Sequence, residues 1–270
     1  MTEPDWVCDQ QAAGGMGNTV LYRMVRDYPD HKDPAIVQDK MLIIGRVYSA
    51  AVTRGGGSKG EDSASEADGL YQHLARAVVE QGVELDRMIE QCRNIGRVSF
   101  RNLSQIIETH RFLNDLIVSS IKQWRGRTAD GTRKVHGRTS FVSKYLHFHA
   151  PMAFFIYDSI VNDTLKLLMG RNSRIEWSED FGDDLRNTYA RHCYHMLRCT
   201  QNYYSGVKWN PRLIDGHLMG YINGSETPEE ISKARNDLRL KWREQEKARL
   251  RKERQGNPIN ETGEVAHVFA

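Results

Sequence analysis

TSFVSKYLHFHAPMAFFIYDSIV, residues 139–161, is the stretch on which the reading of this chain turns. Thr139 or Ser140 supplies a hydroxyl able to cap a short helix that runs to about His149. Pro151 then enforces a break, because the residue before a proline is pushed out of the helical region. Ala153 to Tyr157 reads as an apolar extended approach, and Asp158 stands where a second helix begins, continuing to about Met169. A lysine, Lys144, thus lies in the first helix and a carboxylate, Asp158, at the head of the next.

Outward from this segment the pattern stays helical. Asp39 to Arg54 places Leu42, Ile43, Val47, Ala50 and Ala51 on or near one face. Leu70 to Cys92 repeats Leu74, Val78, Leu85 and Ile89 at helical spacing, and Asn102 to Trp124 does the same with Leu103, Ile106, Ile107, Leu113, Leu116, Ile117 and Ile121. Further helices are expected over Ser178 to Tyr203 and Pro211 to Tyr221, while strand signals are sparse. The fold class expected is mainly α. Residues 1–38 read as a loosely structured lead-in, 39–228 as one helical domain with a flexible loop at 55–69, and 229–270 as a charged helix followed by a disordered tail.

At 270 residues, 39% hydrophobic and 27% charged, the chain can bury a core without disulfides. Cys8, Cys92, Cys193 and Cys199 form no CxxC pair and are expected to be reduced and mostly buried. No run approaches the roughly 18 to 20 apolar residues of a membrane span. The start, MTEPDWVCDQ, lacks the order of a signal peptide, so a cytoplasmic protein without membrane attachment is expected. Net charge is only +3, but it is unevenly spread. Seven basic residues face one acid between Lys122 and Lys144, and ten face four between Lys233 and Arg254. Such concentration points to a polyanion.

Helix, turn and helix bring Lys144 and Asp158 into one cleft. An aspartate at a helix start accepts hydrogen bonds from free amides and feels the positive helix end, which favours its ionised form. A fixed carboxylate in a dry cleft is what an oxocarbenium-like sugar needs as its base departs. Asp158 as a helix cap and nothing more is the bland alternative, since Asp is a preferred cap.

Ser143-Lys144-Tyr145-Leu146-His147-Phe148 and Phe155-Ile156-Tyr157-Asp158-Ser159 resemble the helix-hairpin-helix DNA glycosylases, and within them the bacterial proteins with an 8-oxoguanine DNA glycosylase-like fold. The resemblance covers a short stretch with compatible helical context on both sides. It implies that Asp158 is the catalytic aspartate and that Lys144 occupies the lysine position. It implies base flipping and cleavage of an N-glycosidic bond in a modified DNA, for base-excision repair or for defence against phages with modified cytosines. The chain departs from the family in three ways: Gly137 alone stands near the usual Gly-x-Gly hairpin, the Lys144 to Asp158 interval is 14 residues and shorter than usual, and Ile156-Tyr157 replaces the typical proline-valine.

Lys144 could attack the sugar to form a Schiff base or could hold a phosphate, and the short interval favours a water-dependent route. Tyr145, Tyr157, His147 and Tyr48 are the candidates for a base pocket. Arg125, Arg127, Arg133, Lys134 and Arg138 in the basic loop, with Arg46 and Arg54 on the first helix, are the candidates for phosphate contact. No cofactor is expected. His147 and His149 diverge on their helix and are expected to be cleft or surface residues rather than metal ligands, while the face shared by His192, His195 and Cys199 lacks an acid or further cysteine, so for these three core packing is the better reading than a metal site. Oligomeric state is not readable. A non-catalytic nucleic-acid-binding protein is the competing reading, and a helical module that docks a protein partner is the third.

Overall fold

The computed structural model describes residues 15–47, 63–126, 137–169, 187–204 and 209–222, with Glu244, Lys247, Ala248 and Arg251 beyond them. These residues form α1 (Gly15–Asp27), α2 (Pro34–Val47), α3 (Ser63–Glu80), α4 (Gly82–Asn94), a 3-10 turn (Phe100–Asn102), α5 (Leu103–Gly126), α6 (Thr139–His149), α7 (Ser159–Met169), α8 (Thr188–Tyr203) and α9 (Pro211–Ile222). Among the described residues there is no strand. The fold is mainly α, and no described helix is long and apolar enough to cross a membrane.

One helix organises the rest. Every residue from Phe141 to Ala150 is buried, so α6 has no solvent face along most of its length. It packs on α1, α2 and α5, while α7 packs on α8 and α9 and α8 packs on α5. A single apolar core runs through the whole set, from Leu21 of α1 to Leu218 of α9.

The first helix corrects the expectation of a loose lead-in over residues 1–38 for its described part, 15–38; residues 1–14 lie outside the described residues. In α1, Asn18, Leu21, Tyr22 and Val25 are all buried at helical spacing, a stripe that joins the core of the domain. The next helix also begins earlier than Asp39. Asp33 caps it, its carboxylate accepting the Ala35 N–H at 2.8 Å, and Pro34 takes the first helical position, where a missing N–H costs nothing. Ser63 to Gly69 belongs to α3 rather than to the expected loop; residues 55–62 lie outside the described residues.

The expected helix over Leu70 to Cys92 is two helices meeting at Gln81. A Cβ on Gly82 would stand 2.6 Å from the backbone oxygen of His31, so glycine permits the close approach of α4 to the α1–α2 connection. The reading of Thr139 to His149 and of the helix after Asp158 agrees with α6 and α7. The N-cap position of α6 is Arg138, whose N–H donates to Asn114 Oδ1 at 2.8 Å, not Thr139 or Ser140. In α8 the described part starts at Thr188, where Asn187 Oδ1 accepts the Tyr189 N–H at 2.8 Å; 170–186 lie outside the described residues. Of the expected C-terminal helix and tail, only Glu244, Lys247, Ala248 and Arg251 are described, helical and exposed. Cys92, Cys193 and Cys199 are buried free thiols; Cys8 lies outside the described residues.

The core is polar in an unusual way, for it holds His31, His110, His147, His149 and His192, none more than 3% exposed. Burial lowers the pKa of each, to about 3 for His110 and His147 and about 4 for His192. Asp86 partly opposes this at His31, accepting its Nδ1–H at 2.5 Å. The folded chain therefore keeps these rings neutral while the unfolded chain protonates them near the ordinary value of 6.5. Stability is complete above that value and is lost as pH falls from it toward the folded values, by about 1.4 kcal/mol per pH unit for each proton bound by the unfolded chain alone. We predict acid unfolding, followed by circular dichroism, with a midpoint at about pH 5. A chain still fully folded at about pH 3.5 would contradict neutral burial of these rings.

Candidate functional site

Between α6 and α7 the chain is neither helix nor strand from Phe154 to Asp158, with no strand beside it among the described residues. Buried backbone groups need partners, and here side chains supply them. His147 Nδ1 donates to Phe154 O at 2.8 Å, Tyr189 Oη to Phe155 O at 2.9 Å, and His192 Nε2 to Ile156 O at 3.0 Å. The Tyr157 N–H donates to Ser143 Oγ at 2.9 Å. A carbonyl oxygen only accepts, so the bonded nitrogen of each histidine carries the proton. The other nitrogen of His147 is then an acceptor, taking the Tyr22 hydroxyl at 3.0 Å. Four consecutive residues are clamped from α6 and α8, and the clamp fixes where Asp158 begins α7.

Asp158 caps that helix. Its Oδ1 accepts the Ile160 N–H at 2.8 Å, and its backbone oxygen takes the Asn162 N–H at 2.9 Å. Its Oδ2 lies 3.6 Å from Lys144 Nζ, which also donates to Ser140 Oγ at 2.8 Å. The two partners differ in access: the Asp158 side chain is 29% exposed and that of Lys144 only 6%. Burial pulls the Lys144 ammonium below the ordinary lysine pKa, opposed by Asp158 and Asp215.

Asp215 completes the group from α9. It lies on the buried stripe Pro211, Ile214, Asp215, Leu218, where an apolar residue would be expected. Arg212 Nη1 donates to its Oδ2 at 3.1 Å, while its buried Oδ1 has no hydrogen-bond partner among the described residues. Burial raises its pKa to about 6, against the pull of Arg212 and Lys144 and with the push of Asp158. Two carboxylates, a lysine and an arginine from three helices thus share one electrostatic site.

The remaining sequence candidates divide sharply. Tyr157 is half-buried beside Asp158, its ring edge-on to His192 at 5.0 Å. Tyr145 is not available to a base: it is fully buried among Phe141, His31 and His149, on the helical face one residue round from Lys144. His147 is likewise fully buried and serves the clamp. Arg46 is exposed, but its charge is paired with Asp68 at 3.2 Å. The Arg138 side chain is partly buried at the start of α6. The backbone of Arg125 ends α5, its side chain being outside the description; Tyr48, Arg54, Arg127, Arg133 and Lys134 lie outside the described residues. His192, His195 and Cys199 do not assemble a metal site, for no group of three or more ligating side chains occurs among the described residues.

Sequence reasoning missed Asp215 and Arg212. The signal was present as an acid on an apolar stripe with an arginine three residues before it. Compared with protein-family models, curated proteins and solved structures, the chain matches none.

A test of the site's electrostatics follows from Asp215. Because its folded pKa is raised, the folded chain holds this proton longer than the unfolded chain does. Its contribution to stability is therefore lost as pH rises from about 4 through about 6. In Asp215→Asn the dependence disappears. Relative to the parent, the variant should gain about 2 kcal/mol of unfolding free energy between about pH 4.5 and 7.5. A pH-independent difference in urea titrations would show that the carboxyl is not buried in this way.

Proposed function

We propose that this chain is a DNA N-glycosylase that extrudes a modified base and hydrolyses its N-glycosidic bond, leaving an abasic site. The observation that carries the reading is the contrast within one ion pair: Asp158 is open to a ligand, while Lys144 lies buried behind it. A carboxylate anchored at a helix head, presented to solvent and backed by a buried ammonium can face the positive charge that develops on a sugar as its base leaves. It needs no reorganisation at that moment, because the clamp on residues 154–157 and the α7 amides already hold it.

In this reading water supplies the nucleophile. The C1′–N bond breaks with its electron pair going to the base, water oxygen bonds C1′, and the proton released ends on the departing base or in solvent. Asp158 stabilises the sugar cation and orients the water. Lys144 is a positioning residue, since its amine is covered and engaged with Ser140 and Asp158. The half-buried Tyr157 lines the approach to Asp158 and offers a face on which an extruded base can stack. The resemblance of 143–159 to helix-hairpin-helix glycosylases supports the same roles for Lys144 and Asp158, and leaves oxidised guanine and bulky modified cytosine as the two substrate classes to offer.

A second reading is favoured by one feature, the engagement of Asp158 Oδ1 with the Ile160 amide. A carboxylate used only as a cap would leave a non-catalytic DNA-binding protein.

The experiment offers duplexes carrying 8-oxoguanine, 5-hydroxymethylcytosine and glucosylated 5-hydroxymethylcytosine and follows free base and abasic sites. Base release from at least one is expected. Asp158→Asn, which keeps the cap acceptor and loses the charge, should be slower by about a hundredfold or more. Borohydride should trap no covalent adduct in the parent, and Lys144→Gln should retain some base release. Undiminished turnover by Asp158→Asn removes that residue from the mechanism, and an adduct that vanishes in Lys144→Gln replaces water by the lysine.

A further inference from the structure

The segments that surround Asp158 are free of acids over long spans. None occurs in 91–107, in 137–157 or in 187–204, although the chain as a whole carries 35. The same spans hold Arg93, Arg97, Arg101, Arg138, Lys144, Arg191 and Arg198. The distribution is not visible along the sequence as a single basic run, because packing assembles it.

The 95–102 turn and α8 meet through Phe100 and Tyr194, whose rings are edge to face at 5.5 Å. Arg191 and Arg198 lie three residues before and four after Tyr194, hence on its side of the helix, one turn to each side. Arg101 follows Phe100. All three arginines are exposed, and none makes an ion pair among the described residues. The turn that carries Arg101 is held closed. Gly96 has φ 75°, Asn102 Oδ1 accepts the Ser99 N–H at 2.7 Å, Asn102 Nδ2 donates to Arg97 O at 3.1 Å, and the Val98 N–H donates to Met152 O at 2.9 Å. Arg97 is spoken for: its guanidinium lies over the Trp209 ring, 4.5 Å from the centroid, and Trp209 stacks on Phe155 of the clamp. On the same helix, His192 abuts Tyr157, the rings edge-on at 5.0 Å, so the helix that carries Arg191 and Arg198 also contacts the residue beside Asp158 through its buried face.

We propose that Arg101, Arg191 and Arg198 form a DNA-backbone surface that seats one strand of duplex DNA beside Asp158. Resting on the glycosylase reading, the proposal adds where the substrate strand runs. Arg191 and Arg198 stand two turns apart, roughly 10 Å along the helix. With α8 laid along the duplex axis, that distance spans about three base-pair steps of 3.4 Å axial rise. A row of exposed guanidinium groups that make no ion pair among the described residues suits a repeating anion and reads no sequence.

The test uses the full chain and an unmodified 20-mer duplex, with affinity measured by fluorescence anisotropy across a salt series. The triple variant Arg101→Ala, Arg191→Ala, Arg198→Ala should bind more weakly, and its slope of log affinity against log salt should be shallower by roughly 2.7. The corresponding triple lysine variant should recover most of that slope. A control of equal charge loss, Arg23→Ala, Arg76→Ala, Arg87→Ala, should keep the parent slope. Circular dichroism verifies that each variant is folded. An unchanged slope in the first variant, an equal fall in the control, or stronger binding of single-stranded RNA than of the duplex overturns the surface. Base release is scored separately. A fall in slope without base release from any substrate sinks the glycosylase reading and leaves the surface standing, whereas base release with an unchanged slope does the reverse.

Discussion

The burial of α6 from Phe141 onward is the constraint to which everything else in this molecule answers. A helix with no solvent face normally carries only apolar side chains. This one carries Ser143, Lys144, His147 and His149 into the interior. Each such group destabilises the fold unless it finds a partner, and the neighbours of α6 supply one to Ser143, Lys144 and His147, while His149 stacks on His31 and Tyr145 with no hydrogen-bond partner among the described residues. Tyr22 of α1 reaches His147, the segment 154–157 turns its backbone toward Ser143 and His147, and α7 begins where its first carboxylate can meet Lys144. The location of Asp158 is a consequence of satisfying a buried helix.

Much of that was legible, and the reasons it was legible are local. Pro151 and the apolar run after it mark a break and an extended approach whatever the tertiary context, and an Asp ahead of Ser-Ile-Val is a cap by its own chemistry. The bounds of α6 and α7 followed from these residues alone. What escaped the reading depends on long-range contact. The break at Gln81 exists because Gly82 admits the backbone of His31 from far up the chain. Tyr145 lost its expected role because His31, from the α1–α2 connection, covers it alongside Phe141 and His149, its own i−4 and i+4 neighbours on α6. Asp33-Pro34, by contrast, was a readable start signal that the apolar periodicity beginning later in the helix obscured.

The site itself divides along the same line. Lys144 and Asp158 are near in sequence and were paired by a helix-turn-helix argument. Asp215 and Arg212 arrive on α9, and only packing brings their charges to bear on that pair. Their presence changes the balance at Lys144: desolvation weakens its ammonium, while two carboxylates support it. The lysine is consequently more plausible as a charge that holds and faces Asp158 than as a free amine. The exposed end of the pair is the carboxylate.

The central claim, that Asp158 faces a sugar acquiring positive charge, is most directly read from two duplexes alike except at one position, one carrying a cationic azasugar and the other a neutral tetrahydrofuran abasic mimic. The account predicts that the parent protein binds the azasugar duplex at least about tenfold more tightly than the neutral one, since analogues of a transition state share its stabilisation. It also predicts that Asp158→Asn loses this preference while binding the neutral duplex as before. Equal affinity of the parent for the two duplexes, or a preference that survives in Asp158→Asn, would contradict it.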